Sequence, residues 1–203
     1  MRPFKKVKNI HFVGIGGAGM IGIAKVLLQK GYRISGSDIS DSNDLQRLRK
    51  DGAQVYIGHS TKNIKGANLL VVSSAINKNN PELIQAKKDS ITTIPRAEML
   101  GSLMIGYESI AVAGSHGKTT TTSLIASIFE KAKLDPTIIN GGVIKSLENS
   151  ARLGKSKWSI LGIGRVVIKS MHIFFTNITN IWAIFFINLL FVFGHCLVCQ
   201  LLC

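Results

Sequence analysis

Cysteine does not occur before position 196 in this 203-residue chain, and Asp and Glu are absent from Ser159 to Cys203. The first absence excludes a disulfide framework and fits a reducing compartment. Cys196-Leu-Val-Cys199 has no second pair and no adjacent βαβ pattern, so it reads as incidental. No cluster of His, Cys and Asp has metal-ligand spacing. His59, after Gly58 in a polar loop, reads as exposed or hydrogen-bonding. Acidic residues are scarce overall, 11 against 25 Lys+Arg, for a net charge of +14. The basic residues are scattered in pairs and triplets (Lys5-Lys6, Arg49-Lys50, Lys87-Lys88). That pattern fits a solvated basic surface rather than a nucleic-acid footprint. Its field would favour anionic nucleotides. The basic start leads into a short apolar run broken by glycines, which is not the pattern of a signal peptide. The expected location is cytoplasmic.

Asn9 to Val13 reads as a strand, followed by Gly14-Ile-Gly-Gly-Ala-Gly19. Met20 to Lys30 then has helical spacing at Ile23, Val26 and Leu27, and Gly31 stops that helix. Arg33 to Ser37 reads as a second strand, with Asp38 at its end. This is G-x-G-x-x-G between strand and helix, about twenty residues before an acid. Gly14 permits the turn, Gly16 admits a diphosphate to the backbone, and Gly19 allows close helix–strand packing. Asp38 is the expected partner of a ribose hydroxyl. The motif leaves two ligands open, a nicotinamide or flavin dinucleotide and a nucleotide-diphosphate sugar.

The alternation continues with a helix over 43–51 and strands over 54–57 and 69–73. Ser73-Ser-Ala-Ile76 leaves the carboxyl end of the latter strand, where open α/β sheets bind ligands. A helix starts at Asn80-Pro-Glu82, a short strand covers 92–94, and a helix covers 96–104. The fold class is α/β, with parallel strands and right-handed crossovers.

A second loop follows at Gly114-Ser-His-Gly-Lys-Thr-Thr120. An apolar strand, Ile110 to Ala113, precedes it. The helix after it carries Leu124, Ile125, Ile128 and Phe129 at helical spacing. Backbone N–H groups of such a loop and of the helix N-terminus bind phosphate. Lys118 supplies charge to the β- and γ-phosphates, and the Thr119 hydroxyl suits Mg²⁺. The first glycine comes later than in the general P-loop, so this is a shortened variant. The His116 ring lies within it. A strand over 136–139 ends in Asn140-Gly-Gly142.

Together these motifs resemble the Mur ligases of bacterial cell-wall synthesis, in particular their alanine-adding members. The matching stretches are Ile10-His-Phe-Val-Gly-Ile-Gly-Gly-Ala-Gly-Met20, Ser35-Gly-Ser-Asp38, Val72-Ser-Ser-Ala-Ile76, Asn80-Pro-Glu82, Arg96-Ala-Glu-Met-Leu100 and Ala113-Gly-Ser-His-Gly-Lys-Thr-Thr-Thr121. They run from about Lys8 to Trp158. The resemblance implies a Rossmann-like UDP-sugar-binding domain over 1–106 and an incomplete P-loop ATP-binding domain over 107–158. It implies UDP-N-acetylmuramate and L-alanine as substrates, with ATP and Mg²⁺. Carboxylate phosphorylation by ATP would precede attack by the alanine amine. Gly14, Ile15, Gly16, Gly17, Ala18, Gly19, Asp38, Ser73 and Ser74 would hold the UDP-sugar. Gly114, Ser115, His116, Gly117, Lys118, Thr119 and Thr120 would hold ATP. Lys118 would be the catalytic residue, offsetting charge on the transferred phosphoryl group, and Thr119 the metal ligand.

After Trp158 the family has an acidic segment that supplies a Mg²⁺ carboxylate, where this chain reads Ser159-Ile-Leu-Gly-Ile-Gly164. Segment 159–203 is expected to be an apolar tail, out of frame or disordered, following a frameshift near Trp158. The run 178–203 carries no charge except on His195 and is long enough to span a bilayer. A membrane contact follows only if that tail is genuine. The expected product is an inactive fragment of the ligase. The alternatives are a non-catalytic nucleotide-binding protein, tethered by the tail, and a dinucleotide oxidoreductase, in which a second phosphate loop has no task.

Overall fold

The structure, a computed structural model, describes residues 7–17, 19–114, 117–144, 149–163 and 181–187. The first unit comprises β1 (Asn9–Val13), α1 (Met20–Gln29), β2 (Arg33–Asp38), α2 (Asn43–Lys50), β3 (Gln54–Ile57), a 3₁₀ turn (Thr61–Ile64), β4 (Leu69–Val72), α3 (Pro81–Lys88), β5 (Thr92–Pro95) and α4 (Arg96–Met104). The strands form a parallel sheet in the order β3-β2-β1-β4-β5. The order reverses direction between β1 and β4, so the loops after these two strands face one crevice.

Local chemistry sets these elements. Ser42 Oγ accepts from Leu45 N–H at 3.2 Å and caps α2. Asn80 Oδ1 accepts from Glu82 N–H at 2.8 Å, with Pro81 at the first position of α3. Strands β1 and β4 are buried almost throughout, as central parallel strands require.

The second unit comprises β6 (Glu108–Gly114), α5 (Lys118–Lys131), β7 (Thr137–Ile144), β8 (Asn149–Arg152), β9 (Trp158–Ile163) and β10 (Ile181–Ile187). Its strand order is β10-β6-β9-β7-β8, parallel except for the antiparallel β7–β8 pair. Strand β7 runs past Asn140 through Gly141 and Gly142, where the sequence suggested an end, because β8 returns against it. Strand β9 extends past Trp158 to Ile163. Strand β10 lies within the 178–203 run, of which residues 181–187 alone are described. Among the described residues no helix is long and apolar enough to cross a membrane.

Helix α1 lies between the sheets. A Cβ at Gly22 would meet Ala151 Cβ and the Asn140 carbonyl, both at 3.3 Å. Phe12, Ile15 and Ile23 therefore share one apolar cluster with Ala111, Ala113, Ile139 and Leu161 across the two sheets. Gln29 Oε1 accepts from Leu153 N–H at 2.8 Å, and Lys30 Nζ donates to Tyr107 Oη at 2.8 Å. On α5, Ile125 and Phe129 pack with Ala126, Ile138 and Ile160, while Leu124 and Ile128 remain 61% and 66% exposed.

Gly36 makes room for the loop after β1. A Cβ there would lie 2.5 Å from Ile15 Cδ1 and 2.8 Å from the Phe12 carbonyl oxygen. Gly36→Ala is expected to destabilise the fold by about 1–3 kcal/mol through overpacking. Urea denaturation checks this, and an unchanged midpoint would contradict the packing of Ile15 over β2.

Candidate functional site

The first glycine loop leaves β1 at the carboxyl edge of the sheet. Gly14 has φ +80, a conformation that costs a side-chain-bearing residue. The N–H groups of Gly14 and Ile15 both donate to the Ser37 carbonyl, at 2.8 and 3.0 Å. Gly17 N–H donates to the Gly14 carbonyl at 3.2 Å, and Met20 N–H to the Gly17 carbonyl at 2.9 Å. Asp38 Oδ2 accepts from Gly16 N–H at 2.8 Å. Asp38, expected at a ribose hydroxyl, thus staples the loop. A Cβ at Gly16 would lie 2.9 Å from that same carboxylate oxygen.

Gly19 caps α1 in the left-handed region, φ +81, with no side-chain cap and no acid in the first turn. Such a helix start directs amides and positive dipole outward. A Cβ at Gly19 would lie 2.9 Å from Arg96 Nη1 and 3.9 Å from Gly141 Cα. The near neighbour of Gly19 is thus a guanidinium that the sequence did not suggest. Arg96 is half-buried, and burial lowers its pKa from the ordinary value. No ion pair among the described residues includes it.

Ser73 borders the same loop: its Oγ lies 3.5 Å from a Cβ placed at Gly17, and its N–H donates to the Val13 carbonyl at 3.1 Å. Ser74 is exposed on the turn that follows. Ala18 lies outside the described residues.

Behind the loop is a buried polar cluster that sequence reasoning missed. Glu82 of α3 is fully buried. Its carboxylate accepts from Ser37 Oγ at 2.6 Å, Asn63 Nδ2 at 2.7 Å and Ser60 N–H at 3.3 Å. His59 Nδ1 lies 3.2 Å from Glu82 Oε2 and 2.9 Å from Ser37 Oγ. His59 is accordingly a hydrogen-bonding residue. His11 Nδ1 lies 2.9 Å from Ser35 Oγ, and its Nε2 faces Glu82 Oε2 from 3.7 Å. Burial by itself would raise the Glu82 pKa. The contacts with His11, Ser37 and Asn63 outweigh burial and lower it from 4.5 to about 2.

In the second sheet Gly117 caps α5 at φ +73, again with no side-chain cap. Lys118 is half-buried at the first position of the helix, and Thr119 and Thr120 are exposed beside it. Ser115 and His116 lie outside the described residues. Strand β9 pairs with the strand that feeds this loop, setting Gly162 opposite Val112 and Ile163 opposite Ala113. No carboxylate stands at that end of β9. Among the described residues no group of three or more His, Cys, Asp or Glu could hold a metal. A hard cation needs several oxygen donors. Mg²⁺ keeps several waters and takes its other ligands from one or two protein oxygens and the substrate phosphates, and the Thr119 hydroxyl is one such oxygen.

Two uncapped helix starts, each following a buried parallel strand, mark a Rossmann-like α/β protein. The family description "Mur ligase family, catalytic domain" matches residues 9–108. UDP-N-acetylmuramate–L-alanine ligase of Pelagibacter ubique is 53% identical over 156 residues, covering 77% of this chain and 34% of the relative. The ligase of the same name from Rhodopseudomonas palustris is 50% identical over 161 residues, covering 79% and 34%. The solved UDP-N-acetylmuramate-alanine ligase of Thermotoga maritima superposes with a TM-score of 0.72 at 29% identity, covering 75% of this chain and 36% of that one. The UDP-N-acetylmuramate:L-alanyl-gamma-D-glutamyl-meso-diaminopimelate ligase of Neisseria meningitides has a TM-score of 0.72 at 27% identity. The chain belongs to the Mur ligase family. It spans about a third of the length of the curated relatives it matches. These relatives are ligases, which does not favour the alternative of a tethered nucleotide binder.

The native Glu82 carboxyl titrates below the unfolded one, so the folded state binds fewer protons between about 2 and 4.5. The resulting stabilisation is complete above pH 4.5 and is lost as pH falls toward 2. It is on the order of 3 kcal/mol for this group. Glu82→Gln should therefore be less stable than the wild type near neutral pH, with the gap closing in acid. Urea denaturation across that range checks this; a gap independent of pH would contradict it.

Proposed function

We propose that this chain is the nucleotide-gripping part of an ATP-dependent ligase that joins L-alanine to UDP-N-acetylmuramate. On this reading, residues 1–106 bind the UDP-sugar and 107–158 begin the ATP-binding domain. The observation that carries it is the pairing of Gly19 with Arg96. An uncapped helix start and a desolvated cation converge at the switch point of the first sheet, where a diphosphate gains both. The names of the relatives support a UDP-sugar over a dinucleotide.

In the second sheet, Gly114, Gly117, Lys118, Thr119 and Thr120 line the start of α5 and suit the ATP phosphates. Lys118 is the group that would offset phosphoryl charge. The loop's remaining members, Ser115 and His116, carry the same assignment from the sequence. Ser73 and Asp38 shape the first pocket. Ser74 and Ala18 keep their assignment from the motif. We assign the chain binding without turnover, since residues 159–203 carry no Asp or Glu to supply the carboxylate that the family has after Trp158. The reading carries a cytoplasmic location with it.

Isothermal titration tests the assignment. UDP-N-acetylmuramate and ATP should each bind, and NADH should not. Gly19→Ala strains the left-handed cap and crowds Arg96, so it should weaken UDP-sugar binding tenfold or more, roughly 1–2 kcal/mol, with ATP binding retained. Lys118→Ala should do the reverse. NADH binding at the first loop would sink the assignment, as would phosphate release dependent on L-alanine for the claim of no turnover.

A further inference from the structure

We infer that Glu82 is a positioning residue for the first anion pocket, acting through Ser37 on the amides of the glycine loop. Ser37 is tied at both ends. Its carbonyl holds Gly14 N–H at 2.8 Å and Ile15 N–H at 3.0 Å. Its hydroxyl donates to Glu82 Oε2 at 2.6 Å. A carboxylate only accepts, so every hydrogen bond to Glu82 comes from a donor that converges on it. Ser37 Oγ–H, His59 Nδ1, Ser60 N–H and Asn63 Nδ2 reach it from β2 and the turn beyond β3. Both Ser37 and Glu82 are fully buried. The next residue, Asp38, holds Gly16 N–H at 2.8 Å. One tethered residue and its neighbour thus set three successive loop amides, and these set where α1 begins.

Four hydrogen-bond contacts take up the Glu82 charge locally. Glu82 can therefore fix the loop geometry without repelling an anion there. An amide at this position would turn an N–H₂ toward donors and leave at least one unpaired. Ser37→Ala removes the same link from the other side and leaves the carbonyl in place.

The inference rests on the UDP-sugar reading but is tested apart from it. In the full chain, Glu82→Gln and Ser37→Ala should each move the amide proton shifts of Gly14 and Ile15. They should raise the Kd for UDP-N-acetylmuramate about tenfold and leave the Kd for uridine unchanged. The double variant should do no more than either single one, because both break one link. Leu48→Ala, a core truncation on α2, should lower stability with neither effect. Unchanged Gly14 and Ile15 shifts in both variants would overturn the inference, whatever ligand binds. Additive losses in the double variant would also overturn it. Shifts that move in a wild-type background that binds no UDP-sugar would uphold the positioning and sink the ligand reading instead.

Discussion

One carbonyl oxygen governs the first glycine loop. Ser37 O accepts two successive amides from the loop after β1, which ties that loop to the end of β2. The consequences run in both directions along the chain. Gly36 must lack a side chain, because Ile15 occupies the space above it. Gly14 must adopt a positive φ to turn both amides the same way. Helix α1 then starts at a fixed point, with Arg96 against its cap, and it runs on to wedge between the two sheets. The pocket and the contact between sheets are therefore set by one helix.

The second helix start follows the same plan. Gly117 caps α5 in the left-handed region as Gly19 caps α1. Its strand, β6, is central in its sheet, between β9 and β10. What differs is the neighbouring strand end. In the first sheet β2 ends in Asp38, which holds the loop. In the second, β9 ends in Gly162 and Ile163, which bring no charge to the phosphate side. Residues 159–203 carry no Asp or Glu, so β9 brings no carboxylate of its own to that end.

Both glycine loops were legible in the sequence, because strand, glycine turn and amphipathic helix form a local pattern that needs no tertiary information. The strand alternation gave the parallel first sheet for the same reason. The polar cluster was not legible. Asn80-Pro81-Glu82 reads as a helix start, and Glu82 serves that purpose, yet its burial depends on the sheet placing β1, β2 and the 3₁₀ turn around it. Arg96 likewise stood at the head of a helix with no sign of the Gly19 contact 77 positions earlier. Asp38 was legible as a residue, but its hydrogen bond of 2.8 Å to Gly16 N–H, a matter of loop shape, was not. Strand β8 escaped notice because Asn149-Ser-Ala-Arg152 has no apolar alternation and pairs only by following β7 back.

The central claim is that two distinct loops take two distinct nucleotides. Amide chemical-shift mapping tests it most directly. The account predicts that UDP-N-acetylmuramate moves the signals of Gly14 to Ile21 and leaves those of Gly117 to Thr122 in place, and that ATP does the opposite. Perturbation of one and the same loop by both nucleotides would contradict it.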